Sequence, residues 1–139
     1  VTTVSVSNDD SMIASGSQDH SVRLWKIKCP FESMTCEAVL YGHQGVVTST
    51  CFSASSSTLA SSANDRTVRL WSTKDSECLR VIMQASRPLV VKFSPKHEAV
   101  FAVGCEDGAL VWWNKLEDVC LVKKQVHTKQ INAIDISAD

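Results

Sequence analysis

Along the chain, short runs of β-branched, aliphatic and aromatic residues are separated by clusters of serine, asparagine, aspartate and glycine. Short runs punctuated this often are the pattern of antiparallel hairpins rather than of helices. The middle of the chain states it most clearly. Val46 to Phe52 reads as a first strand, Ala54 to Ser57 as a loop, and Thr58 to Ala63 as a second strand. Asn64-Asp65-Arg66 then makes a tight turn into a third strand, Thr67 to Trp71, and Cys78 to Met83 a fourth. Asparagine and aspartate suit such a turn because their side chains bond nearby backbone and tolerate left-handed conformations. The serine-rich stretch Ser53 to Ser62 is therefore hairpin and not a flexible linker.

The hairpins recur at a fixed period, which outranks any single strand assignment. Ser15-Gly-Ser-Gln-Asp-His-Ser-Val-Arg-Leu-Trp25 and Ser61-Ser-Ala-Asn-Asp-Arg-Thr-Val-Arg-Leu-Trp71 agree at most positions, and Val103 to Trp113 follows the same frame. An aspartate stands six residues before the tryptophan each time: Asp19 and Trp25, Asp65 and Trp71, Asp107 and Trp113. The tryptophans are 46 and then 42 residues apart, so an insertion of about four residues is expected near Lys28 to Ser33. His43 and His127, 84 residues apart, each precede a serine (Ser53, Ser137) by ten, and Cys36, Cys78 and Cys120 keep step with the frame.

Gly42-His43, the Ser-x-x-x-Asp of Ser61 and Asp65, and Val68-Arg-Leu-Trp71 resemble the WD40 repeat. The resemblance runs in phase through essentially the whole chain. It implies an all-β fold, about three and a third four-stranded antiparallel blades of a β-propeller, with repeats at about 1–41, 42–84 and 85–125 and the start of a fourth at 126–139. The family's customary Trp-Asp ending is missing, since Lys26, Ser72 and Asn114 follow the aligned tryptophans. The resemblance further implies that His43, Ser61, Asp65 and Trp71 form a buried hydrogen-bonded chain. The first blade keeps Ser15, Asp19 and Trp25. The third keeps Asp107 and Trp113 but has Gln84 for the histidine and Val103 for the serine, and His127 opens the fourth. The third blade is expected to be the loosest, with Asp107 unpaired or bonded only to backbone. Val1 and Asp139 both fall inside a repeat, so the chain is expected to be a piece of a longer protein. Alone it is expected to be marginal or self-associating, because an unclosed propeller leaves strand edges open.

Composition adds constraints. The 139 residues are 44% hydrophobic and 21% charged, the balance of a soluble globular domain, and no apolar run approaches a membrane span. A formal charge of -1 gives no bulk attraction to phosphate backbones or anionic lipid, so neither nucleic acid nor membrane is the expected principal partner. Six cysteines without a Cys-x-x-Cys pair and without a signal peptide point to reduced thiols in cytosol or nucleus. Cys51 and Cys105 are expected as small buried residues in strands.

Three chemistries compete for these residues. His43, Ser61 and Asp65 could form a hydrolase triad, with Ser61 and His43 as its working pair. A catalytic set should occur once, however, and this one recurs in eroded form, which favours structure. Metal binding is not expected, because structural zinc wants close ligand pairs and these cysteines and histidines are spread over separate blades. Lys123, Lys124 and Lys129 could make a basic rim patch for nucleic acid, the alternative to a solvated face. No Gly-rich phosphate loop is present, and no cofactor or small-molecule substrate is expected. The expected function is that of a scaffold or adaptor binding other proteins through rim loops, at Gln18, Asn64 and Glu106 before the turn aspartates and at Gln44, Arg87 and Lys129 before the first strands. Arg87 is the leading candidate, since arginine is enriched at interface hot spots.

Overall fold

The computed structural model of the chain describes residues 1–28 and 33–139. The insertion expected near Lys28 to Ser33 falls on residues 29–32 and lies outside the described residues. Among the described residues twelve strands are formed: β1 (Thr3–Val6), β2 (Met12–Gly16), β3 (Val22–Lys28) and β4 (Ser33–Leu40); β5 (Val47–Phe52), β6 (Thr58–Ala63), β7 (Thr67–Ser72) and β8 (Cys78–Met83); β9 (Pro88–Phe93), β10 (Val100–Cys105), β11 (Ala109–Asn114) and β12 (Val119–Gln125). They make three four-stranded antiparallel sheets, each a simple meander in chain order. These are three propeller blades, and the strands of the second lie within one residue of the positions expected from the pattern.

Burial follows position in the blade. All six residues of β6 are buried, because the second blade is sandwiched between the other two, whereas every residue of β12 is exposed. A strand covered on both faces has no polar alternation to keep, which is why Thr-Leu-Ala-Ser-Ser-Ala reads as small rather than amphipathic. The core is two cores, one in each gap between blades. Val22, Leu24 and Leu40 meet Val47, Phe52, Leu59 and Trp71 in the first gap. Val68, Leu70 and Ile82 meet Val91, Phe93, Phe101 and Val103 in the second.

Two glycines set how closely neighbouring blades approach. A Cβ on Gly16 of β2 would lie 2.5 Å from Val47 Cγ1, and one on Gly104 of β10 would lie 2.7 Å from Ile131 Cγ2. The residue at the same place in β6 is Ser62, fully buried, whose hydroxyl bonds the Thr48 hydroxyl at 2.9 Å. Thr48 in turn donates to the Pro88 carbonyl at 2.9 Å, so a polar stitch replaces the apolar contact there.

Each blade also carries a bulge at its tryptophan. Trp25 opposes Cys36, Trp71 opposes Cys78 and Trp113 opposes Cys120, with a register shift just before each pair. That explains why these cysteines keep the period of the repeat. Their thiols are exposed, while Cys105 is buried in the second core and burial, with Asp107 nearby, pushes its thiol up to about 11. Cys51 is partly buried, and burial raises its thiol as well.

The turn between second and third strands departs from expectation in one detail. The left-handed residue is the one after the aspartate: His20 (φ 70°), Arg66 (φ 65°) and Gly108 (φ 83°). Asn64 and Asp65 do not need that conformation, because Asp65 Oδ1 accepts the Thr67 amide at 2.9 Å and closes the turn from its side chain. Only the third turn requires glycine, since a Cβ on Gly108 would collide with the His127 carbonyl.

The strand expected to begin a fourth blade is not formed. Residues 126–139 are irregular, because no second strand pairs with them among the described residues to satisfy a ladder. Ile131 is nevertheless 7% exposed and its amide donates to the Cys105 carbonyl at 3.1 Å, as the Val47 amide does to Ser17 at 3.2 Å. The segment thus docks against the third blade as β5 docks against the first, without becoming sheet.

Candidate functional site

The turn after a blade's second strand and the approach to its first strand lie at the same end of the meander. This rim holds the polar residues singled out by sequence. In the second blade it is rigidly built. Ser61 on β6 sits opposite Arg69 and Trp71 on β7 sits opposite Leu59, so the serine and the indole are diagonal neighbours on one sheet face. Trp71 Nε1 donates to Ser61 Oγ at 2.8 Å. His43, from the segment before β5, places Nε2 2.7 Å from that same oxygen and Nδ1 3.0 Å from Asp65 Oδ2.

Proton counting fixes the direction of this chain. The indole can only donate and the carboxylate only accept, so His43 Nδ1–H points to Asp65, and with the neutral ring that burial favours, Ser61 gives its proton to Nε2. His43 is 5% exposed, and burial holds its pKa below the usual histidine range against the pull of Asp65. Burial would raise the Asp65 carboxyl, but hydrogen bonds from Thr67, the Gln44 amide and His43 outweigh it and hold it below the usual range. The Gln44 amide lies 2.8 Å from Asp65 Oδ2, which ties the approach to β5 onto the turn. Gly45 completes the closure, since a Cβ there would lie 2.7 Å from the Asp65 amide nitrogen.

Thr67 was absent from the sequence-derived set. Its hydroxyl is 2.6 Å from Asp65 Oδ1 and 3.1 Å from His43 Nδ1. The signal was present, because a hydroxyl two residues after the turn aspartate occurs also at Ser21. Ser21 has the same role in the first blade, where its hydroxyl is 2.6 Å from Asp19 Oδ1. Bonds from the Ser21 hydroxyl and amide hold Asp19 at about 2, and Trp25 Nε1 donates to Ser15 Oγ at 2.9 Å.

The third blade has the frame without the chain. Asp107 Oδ1 accepts only the Ala109 amide, at 3.0 Å. Trp113 Nε1 and Gln84 Nε2 are both buried without a hydrogen-bond partner, as Val103 offers no hydroxyl. His127 is exposed and joins no such chain among the described residues.

Of the six rim residues, Gln18, Gln44 and Lys129 are exposed and Asn64 is half-buried, its amide bonded to the Val46 carbonyl at 2.9 Å. Arg87 and Glu106 are brought together. Arg87 Nε lies 2.7 Å from Glu106 Oε2 and its Nη2 reaches Oε1, a two-pronged ion pair reinforced by the Glu106 amide donating to the Arg87 carbonyl at 2.9 Å. The pairing lowers the Glu106 carboxyl, with Arg66 adding to the effect from the neighbouring blade. Nothing in the sequence marks two residues 19 apart as partners. Lys123 and Lys124 are consecutive on β12, so their side chains leave opposite faces of the sheet and do not form one patch.

The far rim joins the blades to each other. Asn8 donates to the Ala54 carbonyl at 2.9 Å and its amide donates to the Ser56 hydroxyl at 3.0 Å. Glu98 accepts the Ser55 amide at 2.9 Å and the Lys115 ammonium at 3.2 Å. Burial would raise the Glu98 carboxyl, but hydrogen bonds from Ser53, Ser55 and Lys115 hold it at about 2.

Comparison with known families matches residues 1–26 and 34–72 to the WD domain, G-beta repeat. The matched segments fall on the first and second blades. No curated protein matches the chain.

Proposed function

Since the chain belongs to the WD40-repeat family, whose repeats generally mediate protein–protein scaffolding, we propose that it is a scaffold or adaptor element that binds a protein partner through the rim bearing the turn aspartates. The observation that carries this reading is the Arg87–Glu106 pair, with side chains 43% and 40% exposed, beside Gln18, Gln44 and Asn64 on the same rim. An exposed, oriented charge pair on a rigid support costs little entropy to present and gives a partner both signs to read. Lys129 extends the same rim over the Gly108 turn. WD40 domains are typically non-enzymatic, and Ser61 supports that reading here. Its side chain is fully buried and held between the Trp71 indole and the His43 ring, which fits a structural role. The exposed thiols of Cys36, Cys78 and Cys120 fit a reducing compartment, cytosol or nucleus.

The test is a charge swap, Arg87→Glu with Glu106→Arg, which keeps the ion pair while reversing what a partner meets. Proteins retained from a cell extract by the wild-type chain should be lost by the swapped chain, with its circular dichroism and melting midpoint unchanged. An identical set of retained proteins would remove this rim from consideration.

A further inference from the structure

Of the charged side chains on the rim that bears the turn aspartates, one is unanswered. Asp19 has the Arg23 guanidinium at 3.8 Å, Glu106 is held by Arg87, and Asp65 is spent on the His43 ring, the Thr67 hydroxyl and the Gln44 amide. Asp107 and Lys129, whose carbonyl lies against the Gly108 turn, offset each other in sign. Arg66 is exposed at the tip of the second blade's turn, and no carboxylate lies within ion-pair distance of it among the described residues. Its backbone is fixed, because the left-handed turn places it at φ 65° and its carbonyl accepts the Gln84 amide at 2.8 Å. That bond brings Arg66 to the start of the third blade, where its field reaches the Glu106 carboxylate. Two guanidiniums thus share one carboxylate at the junction of the second and third blades, and one unit of positive charge is left over.

We propose that Arg66 is the contact for a carboxylate of the protein partner, an aspartate or glutamate side chain set beside an apolar residue. The inference rests on the rim reading above and names the chemistry that the rim selects. A single surplus charge matches a single carboxylate, which a guanidinium takes through two parallel N–H···O bonds. A phosphoryl group brings nearly two negative charges, more than the junction holds in surplus, and would be repelled by Glu106 and Asp107. The apolar neighbour follows from Met83, which lies opposite Thr67 in the ladder, beside Arg66, and is 66% exposed. An unbranched thioether there adapts to an aliphatic or an aromatic contact.

The experiment is ¹⁵N–¹H NMR of the full chain titrated with N-acetyl-leucyl-glutamyl-leucinamide and with its glutaminyl counterpart, which has the same shape and no charge. The Arg66 Nε–H and Met83 amide resonances should move saturably, with a midpoint roughly fivefold lower for the acidic peptide, the upper worth of an exposed ion pair. Arg66→Asn keeps a residue that tolerates left-handed backbone and should abolish this preference, read at the Met83 amide. A neutral peptide that binds as well as the acidic one, a preference that survives in Arg66→Asn, or the absence of any saturable shift each overturns the proposal. A phosphoseryl peptide with a lower midpoint than the glutamyl peptide reassigns the site to a phosphoryl group and overturns it too. The rim reading fails separately. Proteins lost by the Arg87–Glu106 swap and kept by Arg66→Asn leave the rim in place without its acidic contact, whereas a swap that loses nothing removes the rim whatever the peptides do.

Discussion

The second and third blades have the same strand order, a left-handed residue at the same place in the turn and the same bulge at an aligned tryptophan. Only the second closes its polar chain, from Trp71 through Ser61 and His43 to Asp65. The third keeps the two ends, Trp113 and Asp107, and leaves the indole unsatisfied. The difference teaches that the meander does not depend on the network. The sheet is held by its ladder and by the apolar gap it shares with its neighbour, where Val68 and Leu70 meet Val91, Phe101 and Val103. The network instead fixes the approach to the first strand against the turn, which is to say the shape of the rim.

The sharpest way to break that comparison is at the histidine position. His43→Ala strips Ser61 and Asp65 of a buried partner and should cost about 3 kcal/mol in urea denaturation, several times the cost of Gln84→Ala. Equal losses at the two positions would mean that the network in the second blade has no special weight. Repairing the third blade should have a smaller effect of opposite sign. Gln84→His places a ring donor beside Asp107 and should stabilise the chain by about 1 kcal/mol, read as a raised urea midpoint at constant slope.

A shallower effect is expected from pH. Burial lowers the pKa of His43 below the 6.5 of a free ring, so the unfolded chain takes up a proton that the folded chain resists. The stability that depends on the neutral ring is present above about pH 6.5 and declines as pH falls below it, until the folded-state pKa is reached. Asp65 contributes separately, with stability present above its unfolded value of 3.8 and lost as pH falls further. His43→Gln, which copies the third blade, should abolish the upper limb of a melting-midpoint profile and leave the lower one. A limb that persists in the variant would place the titration elsewhere. Least of all should follow from Arg87→Ala, within about 0.5 kcal/mol of wild type by the same denaturation, because its ion pair with Glu106 is exposed and screened.

Much of this was legible in the sequence, for physical reasons that also mark where legibility ends. Short β-rich runs bounded by turn residues and a turn aspartate six residues before a tryptophan are local, so the blades and their second-repeat strands could be read directly. The chain from Trp71 to Asp65 came through family resemblance, since its members lie up to 28 residues apart. Its proton order needed the distances. The Arg87–Glu106 pair depends on the register of β9 against β10, and the links from Asn8 and Glu98 to the serine loop join different blades, about which periodicity carries no information. The fourth segment shows the converse. Residues 126–139 have the composition of a first strand, but a strand exists only where another supplies its hydrogen bonds.

The glycines at the blade junctions bear on how such a chain could be rearranged. Gly16 and Gly104 leave a notch that a β-branched side chain fills, whereas Ser62 at the matching place offers a hydroxyl to Thr48. The junctions are thus keyed in two dialects, one apolar and one polar. A blade transplanted into its neighbour's position would bring the wrong key: the middle blade in the third place would drive the Ser62 Cβ toward Ile131, and a blade like it set before β5 would drive that Cβ toward Val47. Modules that look interchangeable in their strand pattern are ordered, and each junction admits its own successor.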